Sequence, residues 1–414
     1  MKLASRFVAI AVVFTTLACG ASDPSEDSVP SLSDRSPLVL ISLDGFRWDY
    51  PDLTDTPALD RIMTAGVRAE GMIPVFPSKT FPSHYSIVTG LHPGHHGIVS
   101  NNIRDPRWPE PFALRFRDEV RNSRWWGGEP IWVTANRAGL RTASFFWPGS
   151  EAPIQGVQPD YWMPFDDSVP AETRVDTVLE WLALPEAERP TFVTMYFEET
   201  DSAGHEYGPG SWESLEAIRA ADIVIGRLLD GLDAQGTLES TNIVVVSDHG
   251  MATHTSDQMI ALEDYVELWP HEVFEVGALL QIFPDEGREG MIYDALHDAH
   301  PNLRIFRPSE APAEFHLYDN PRLGPILGTP DPGWEVRPRG ATRPGDWLAG
   351  HHGADPSHED MHGVFIAAGP AFVSDATVAR LPGVDIYNIL AHALRVDPAP
   401  NDGNPARLDG IVRR

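Results

Sequence analysis

Asp44, Asp201, Asp248, His205, His249 and His352 are carboxylates and imidazoles that fall at four separated points of the chain, and Thr80 adds a hydroxyl between the first two points. Three His, three carboxylates and one hydroxyl, with no thiolate among them, form the donor set that suits two Zn²⁺ ions. Two metal ions a few Å apart are a recurrent device for displacement at phosphorus. The chemistry these residue types point to first is hydrolysis of a phosphate ester.

The local patterns fit that reading in different degrees. Asp201-Ser202-Ala203-Gly204-His205 places a carboxylate and an imidazole four apart, so in a helical turn both face one point. Ser247-Asp248-His249-Gly250 puts two adjacent donors on a loop, where neighbouring side chains need not point oppositely, and Gly250 leaves room beside them. Gly350-His351-His352-Gly353 offers a further imidazole, and spacing alone does not say which of the two His supplies it. His84, His92, His95, His96 and His254 read as ordinary structural residues. Thr80 lies in Pro77-Ser78-Lys79-Thr80-Phe81-Pro82, a helix start. A hydroxyl there commonly caps the helix. It can also be a nucleophile when a metal or base activates it, with the helix N–H groups facing the phosphate.

The elements that must position these groups are legible as apolar runs. Leu38 to Leu43, Thr191 to Phe197 and Asn242 to Ser247 read as buried parallel strands. Asp44 and Asp248 stand at the ends of two of them, and Asp201 follows the third. The crevice beyond the carboxyl ends of the strands is where an open α/β sheet receives its ligand. Helices are expected over Pro57 to Ala65, Val175 to Leu184, Ser211 to Leu232 and Asp385 to Leu394. Alternating strands and helices predict a mostly parallel central sheet covered by helices on both faces. Residues 255–345 change texture. Strands over Ala278 to Phe283 and Leu303 to Phe306 flank a helix near Met291 to His300, and a Gly- and Pro-rich stretch follows from Arg322 to Pro344. This reads as a small inserted α+β lobe within a domain spanning 37–414.

The 414-residue chain carries a formal charge of −29. Such acidity argues against duplex nucleic acid or an anionic membrane surface as a partner. It leaves room for a small anionic substrate, because bound metal ions dominate the local field. Lys2 and Arg6 precede the apolar run Phe7 to Leu17, and the single cysteine follows in Leu17-Ala18-Cys19-Gly20. The pattern reads as a bacterial export signal over 1–19, of the lipoprotein type if Cys19 is lipid-modified, or as an ordinary signal peptide cut nearby. Residues 20–36 form a polar linker suited to a tether. Export to the periplasm, or tethering at the outer membrane, is the expectation.

Several segments, in order, resemble the nucleotide pyrophosphatase/phosphodiesterase family of the alkaline phosphatase superfamily. They are Asp44-Gly45-Phe46-Arg47, Pro77 to Asn101 (PSKTFPSHYSIVTGLHPGHHGIVSN), Phe146 to Glu151, Asp201 to His205 with Gly208-Pro209, Ser247 to Met251, and Met361 to Phe372. The resemblance implies an alkaline-phosphatase-like α/β fold and two Zn²⁺ per chain. It implies that Asp201, His205 and His352 hold one ion, His352 being the His directly before Gly353. Asp44, Thr80, Asp248 and His249 hold the other. It implies Thr80 as the nucleophile of a phospho-threonine intermediate and Asn101 as a donor to a non-bridging phosphate oxygen. Phe81 and Phe165 match the aromatic residues that form the two sides of a base-stacking slot in nucleotide-cleaving relatives, with core packing as the other reading of both. Thr200 stands where a Pro is common, and Ala354-Asp355-Pro356 where Tyr-Asp-Asn is common; neither is expected to touch a ligand.

Near these residues there is no Arg pair of the kind that would complement a monoester dianion, and Lys79 and Arg47 read as structural. Hydrolysis of a nucleotide phosphodiester or pyrophosphate bond is thus the favoured activity. The competing readings are a phosphomonoesterase or phosphonoacetate hydrolase on the same scaffold, a choline-type lipid phosphodiesterase, and a surface lipoprotein that binds metal without catalysis.

Overall fold

The run Leu-Val-Leu-Ile-Ser-Leu forms strand β1 (Leu38–Leu43), in which every residue is buried. A computed structural model of the protein describes residues 35–318, 320–339 and 349–413; the signal-like segment, Cys19 and the linker up to Asp34 lie outside the described residues. Strands β2 (Val67–Ala69), β3 (Thr142–Phe145), β4 (Tyr161–Met163), β5 (Phe192–Phe197), β6 (Asn242–Val246), β7 (Phe365–Ala368) and β8 (Ala376–Val378) join β1 in one sheet, in the order β8-β2-β7-β6-β1-β5-β3-β4. From β6 to β4 all neighbours are parallel. β7 runs antiparallel to both β6 and β2. The sheet is therefore mostly parallel, as the apolar runs imply.

Helices cover both faces, and alternation along β1 decides which. Leu38 and Leu40 join the core containing α2 (Thr80–Thr89), α3 (Ile131–Arg137) and, later in the chain, the helix Ile386–Leu394. Val39, Ile41 and Leu43 join the opposite core. That core packs α1 (Pro57–Ala65), α4 (Ala171–Leu182) and Trp212–Ala234. Of these, α1 begins on Pro57 and stops before Gly66. α4 starts directly after Pro170, four residues before its apolar stripe begins at Val175. A short helix, α5 (Glu199–Tyr207), follows β5, and α6 is Trp212–Ala234, capped by the Ser211 hydroxyl, which accepts the Ser214 N–H at 3.1 Å. The last helix, α7, is Ile386–Leu394.

Register sets the edge where the chemistry gathers. Leu43 lies beside Phe197, and Ser42 beside Val246, so β1, β5 and β6 end together. The Asp44 N–H donates to the Phe197 carbonyl at 2.8 Å, which carries the alignment one residue past the strand.

Between β6 and β7 the chain forms a separate four-stranded antiparallel sheet, in the order Val273–Glu275, Leu280–Ile282, Ile326–Pro330, Leu303–Phe306. Helix Glu289–Leu296 packs on it through Ile292 and Leu296. This helix ends at Leu296 rather than near His300. His297 is already extended and Asp298 takes a left-handed φ of 57°, so the chain turns away before Pro301. Among the described residues, no helix is long and apolar enough to cross a membrane.

Candidate active site

Five of the seven singled-out donors come from segments that leave the aligned strand ends. Asp44 directly follows β1, and Asp248 and His249 follow β6. Asp201 and His205 share one face of α5, four residues apart. His352 comes from far along the chain, and a short ladder brings it in. Ala252 pairs with His351, and Thr253 with Gly350, so the segment after Asp248-His249 pulls the His352 segment alongside.

The six side chains form two adjoining groups. In the first, Asp201 Oδ1 lies 3.5 Å from His205 Nε2 and 3.6 Å from His352 Nε2, and the two Nε2 atoms are 3.1 Å apart. In the second, His249 Nε2 lies 3.0 Å from Asp248 Oδ2 and 3.5 Å from Asp44 Oδ1. The His249 and His352 rings stack at 3.6 Å, which joins the groups.

The supporting bonds show which atoms are left for a ligand. Nδ1 of His205 donates to the Gly350 carbonyl, that of His249 to the Gly250 carbonyl, and that of His352 to the Ser78 carbonyl, each at 2.9 Å. A tautomer fixed in this way turns an Nε2 lone pair into the site, the usual outer support of a metal-binding His. Asp44 Oδ2 accepts the Tyr196 hydroxyl at 2.7 Å, and Asp248 Oδ1 accepts the Gly45 N–H at 3.2 Å. That leaves Asp44 Oδ1, Asp201 Oδ1, Asp248 Oδ2 and His249 Nε2 buried without a hydrogen bond. Buried polar atoms are normally satisfied, and here four orphans crowd into one space. Divalent cations answer that demand. Groupings of Asp201, His205 and His352, and of Asp44, Asp201 and His249, each bring three ligand atoms within 4.8 Å of one another.

The electrostatics agree. Burial, together with repulsion from Asp248 and Asp201, pushes the Asp44 carboxyl well above its ordinary range. Asp248 moves the other way: burial opposes its charge, but His249 and His84 outweigh burial and hold it ionised. Burial and the neighbouring His249 and His205 keep the His352 imidazole well below its usual value, in the neutral form a ligand needs. Three carboxylates held this close are a poor arrangement without added positive charge.

Thr80 is the first residue of α2 and only partly buried. The residues around it are tied to both groups. The Ser78 carbonyl holds His352, and the Thr80 carbonyl accepts from His84 Nδ1 at 2.8 Å. That same Nδ1 lies 3.2 Å from Asp248 Oδ2. Asn101 reaches this helix start as well, its Oδ1 accepting the Phe81 N–H at 2.9 Å. The bond orients the Asn101 side-chain NH₂ away from Phe81 N. The Phe81 ring packs against Phe112 and Trp126, with centroids 5.7 and 5.9 Å away. Phe165 belongs to a different ring cluster, against Phe146 and Tyr196, with the Arg117 guanidinium 5.7 Å from its centroid.

Two supporting residues, His84 and Tyr196, are not assigned to the site by a reading of the sequence, and a third is read differently. His84 is fully buried, and both ring nitrogens are engaged, Nε2 with the Ser42 hydroxyl at 2.7 Å, so it braces Asp248 and Thr80 rather than offering a free donor. Its spacing of four from Thr80 on one helix face is the available signal. Tyr196 shows only as a polar tip in an apolar strand. Thr200 corrects an expectation: its hydroxyl donates to the Asp44 carbonyl at 2.5 Å, so it does touch a ligand residue. Arg47 is structural, as expected, bonding Asp49, Asp360 and the Met251 carbonyl.

Known proteins resemble this chain in sequence and fold. The family model for type I phosphodiesterase / nucleotide pyrophosphatase matches residues 38–355. Rat ectonucleotide pyrophosphatase/phosphodiesterase family member 1 is 35% identical over 399 residues, covering 93% of this chain and 44% of the relative. The rattlesnake (Crotalus durissus collilineatus) venom phosphodiesterase CdcPDE is 35% identical over 406 residues, covering 95% of this chain and 48% of the relative. The chain thus spans less than half the length of these curated relatives. Among solved structures, mouse ectonucleotide pyrophosphatase/phosphodiesterase 5, an inactive threonine-to-alanine variant in complex with AMP, superposes with a TM-score of 0.86 at 33% identity, over 92% of this chain and all of that one. Sequence, fold and structural neighbours agree: the chain belongs to the type I phosphodiesterase/nucleotide pyrophosphatase family.

Proposed function

We propose that this chain hydrolyses nucleotide phosphodiester or pyrophosphate bonds and releases a nucleoside 5′-monophosphate. The observation that carries the proposal is the pair of adjoining donor groups, with their buried orphan atoms, set beside the start of α2. Two Zn²⁺ ions fit the donors, with Asp201, His205 and His352 for one and Asp44, Asp248, His249 and Thr80 for the other. When bound, they supply positive charge to the phosphate oxygens and lower the pKa of a coordinated hydroxyl or water.

The chain's own residues do the rest. Thr80 Oγ1 forms a bond to phosphorus as the bond to the leaving oxygen breaks, giving a phospho-threonine, and water then cleaves the new ester and regenerates the hydroxyl. The Asn101 NH₂, aimed by the Phe81 N–H, donates to a non-bridging oxygen. The first turn of α2 adds few N–H donors of its own: that of Phe81 is taken by Asn101, Pro82 has none, and that of Ser83 donates to the Lys79 carbonyl. Phe81 and Phe165 flank the base. The AMP bound by the mouse relative supports a nucleotide product. The basic start and apolar run before Cys19 support export, with a lipid tether at Cys19, and residues 255–345 are proposed as an inserted lobe of the catalytic domain.

A substrate panel on the zinc-loaded protein tests the reading. An aryl nucleotide diester should turn over well ahead of an aryl monoester, a phosphonoacetate and a choline phosphodiester. Chelation should stop the reaction and Zn²⁺ restore it. Thr80→Ala should keep its metal ions on the remaining ligands and turn nothing over; substantial residual activity would remove Thr80 as nucleophile.

A further inference from the structure

Glu275 closes the edge strand Val273–Glu275 of the four-stranded sheet and is buried. Its carboxylate lies against residues of the helix-start segment. Oε1 accepts from Lys79 Nζ at 2.5 Å and from the Ser100 hydroxyl at 2.5 Å. Oε2 accepts from Gln281 Nε2 at 2.8 Å, and Gln281 is itself held, its Oε1 accepting the Gly324 N–H at 3.1 Å. The pattern is specific. Lys79 directly precedes Thr80, and Ser100 directly precedes Asn101. One carboxylate from the lobe therefore grips the residue before each of the two groups that face the phosphate. The strand ending in Glu275 and its neighbour Leu280–Ile282 belong to the lobe, whereas Thr80 and Asn101 belong to the main domain.

The surroundings leave this grip little slack. Gly353, the residue after His352, has φ +108°, and a Cβ there would lie 3.1 Å from Lys79 Cε and 3.2 Å from Ala278 Cβ. The Lys79 stem thus runs under the His352 loop. Ser78, on its other side, donates its hydroxyl to the Ala354 carbonyl at 2.8 Å and lends its own carbonyl to His352. A buried ion pair is weak as a source of stability, because desolvation offsets most of its attraction. Its value lies in fixing one geometry.

We propose that Glu275 is a positioning residue. Through Lys79 and Ser100 it sets the relative placement of Thr80 Oγ1 and the Asn101 side-chain amide, and so makes the lobe part of the reacting site. The inference rests on Thr80 being the nucleophile and Asn101 a phosphate donor.

Steady-state kinetics on the zinc-loaded full chain, with an aryl nucleotide diester, test it. Displacements of the order of 1 Å cost up to about 100-fold in rate, so Glu275→Gln and Lys79→Met should each lower kcat roughly 10- to 100-fold. KM should stay within about threefold and zinc content should not change, a split that general loosening of the fold would not give. Because both residues act through one contact, the double variant should be no slower than the worse single one. Ser100→Ala removes a single bond and decides the matter if the Glu275 variant does not fold; its kcat should drop about three- to tenfold. Folded, metal-loaded variants with kcat within about twofold of the parent, or losses that multiply in the double variant, would overturn the role of Glu275. Failure of the underlying reading looks different: the parent itself would lack diester activity, or Thr80→Ala would keep it.

Discussion

Gly45 leaves the space that Asp201 occupies: a Cβ on Gly45 would lie 3.0 Å from the Asp201 Cα, Cβ and Oδ1. Gly45 also holds φ +64°, where other residues are strained, and its N–H fixes Asp248. The residue after Asp44 must therefore be small for both donor groups to approach. Gly45→Ala should displace Asp201 and weaken metal binding at the group of Asp201, His205 and His352 proposed to hold an ion by about 10- to 100-fold, the range seen when a metal ligand's support is lost. Metal titration by competition with a chelator checks this. Two ions bound as tightly as in the parent would contradict it.

Tyr196 makes a second, independent prediction. Its phenol is driven well above the ordinary range by burial and by Asp44, so it remains a donor to Asp44 Oδ2 at any working pH. Tyr196→Phe leaves that oxygen without a partner and free to rotate. Zinc affinity of the Asp44 group should fall about 10- to 100-fold. At saturating zinc, kcat should recover to near the parent value. A loss of kcat that excess zinc does not repair would give Tyr196 a role beyond holding Asp44.

How much of this was legible depends on the range of the signal. β1, β5 and β6 are read directly, because strands buried on both faces must be apolar throughout, and the acids that follow them stand out. The antiparallel course of β7 is not legible, since Phe-Ile-Ala-Ala looks the same in either direction. Choosing between His351 and His352 needs pairing with Ala252, which alternates the two rings; the His351 ring sits 6.3 Å from that of His205, with Nε2 of His352 nearest to it instead. Glu275 carries no local mark of its role, and those of Tyr196 and His84 are faint, a polar tip in an apolar strand and a spacing of four from Thr80. Their partners are set by register between segments far apart, which composition and spacing do not encode. Helix ends shifted for local reasons, as at Pro170 and Asp298.

Acid should loosen the four-stranded sheet through Glu272. Burial opposes its charge, but Arg288 and the N–H groups of Trp269 and Asp285 overcome that and hold its pKa at about 2. A carboxylate depressed in the folded state stabilises the fold above its unfolded pKa of roughly 4.3, and loses that contribution as pH falls towards the folded value. Glu272→Gln should therefore lower the melting temperature at pH 7, with a difference from the parent that shrinks steadily between about pH 4 and pH 2. Thermal melts of the two proteins across that window test the sign. A difference that persists unchanged at the acid end would assign the effect to lost packing.

Phe81 is where stacking on substrate and packing in the core must be separated. The ring is only 8% exposed and already touches Phe112 and Trp126, so truncation removes core contacts as well as any base contact. Phe→Ala in a core costs about 3–5 kcal/mol, and a loss of activity alone would say nothing about substrate. Comparing two substrates on one variant cancels the folding term. A nucleotide diester presents a base, and a methyl aryl diester does not. Base–aromatic stacking is worth about 1–3 kcal/mol, or roughly five- to 150-fold in affinity. Phe81→Ala should thus raise KM for the nucleotide by that factor more than for the methyl diester. Phe165→Ala, made in the separate cluster against Phe146 and Tyr196, should show the same selectivity if its ring faces the other side of the base. Equal changes on both substrates would place these rings in the core alone and send the search for base recognition to other residues around Thr80.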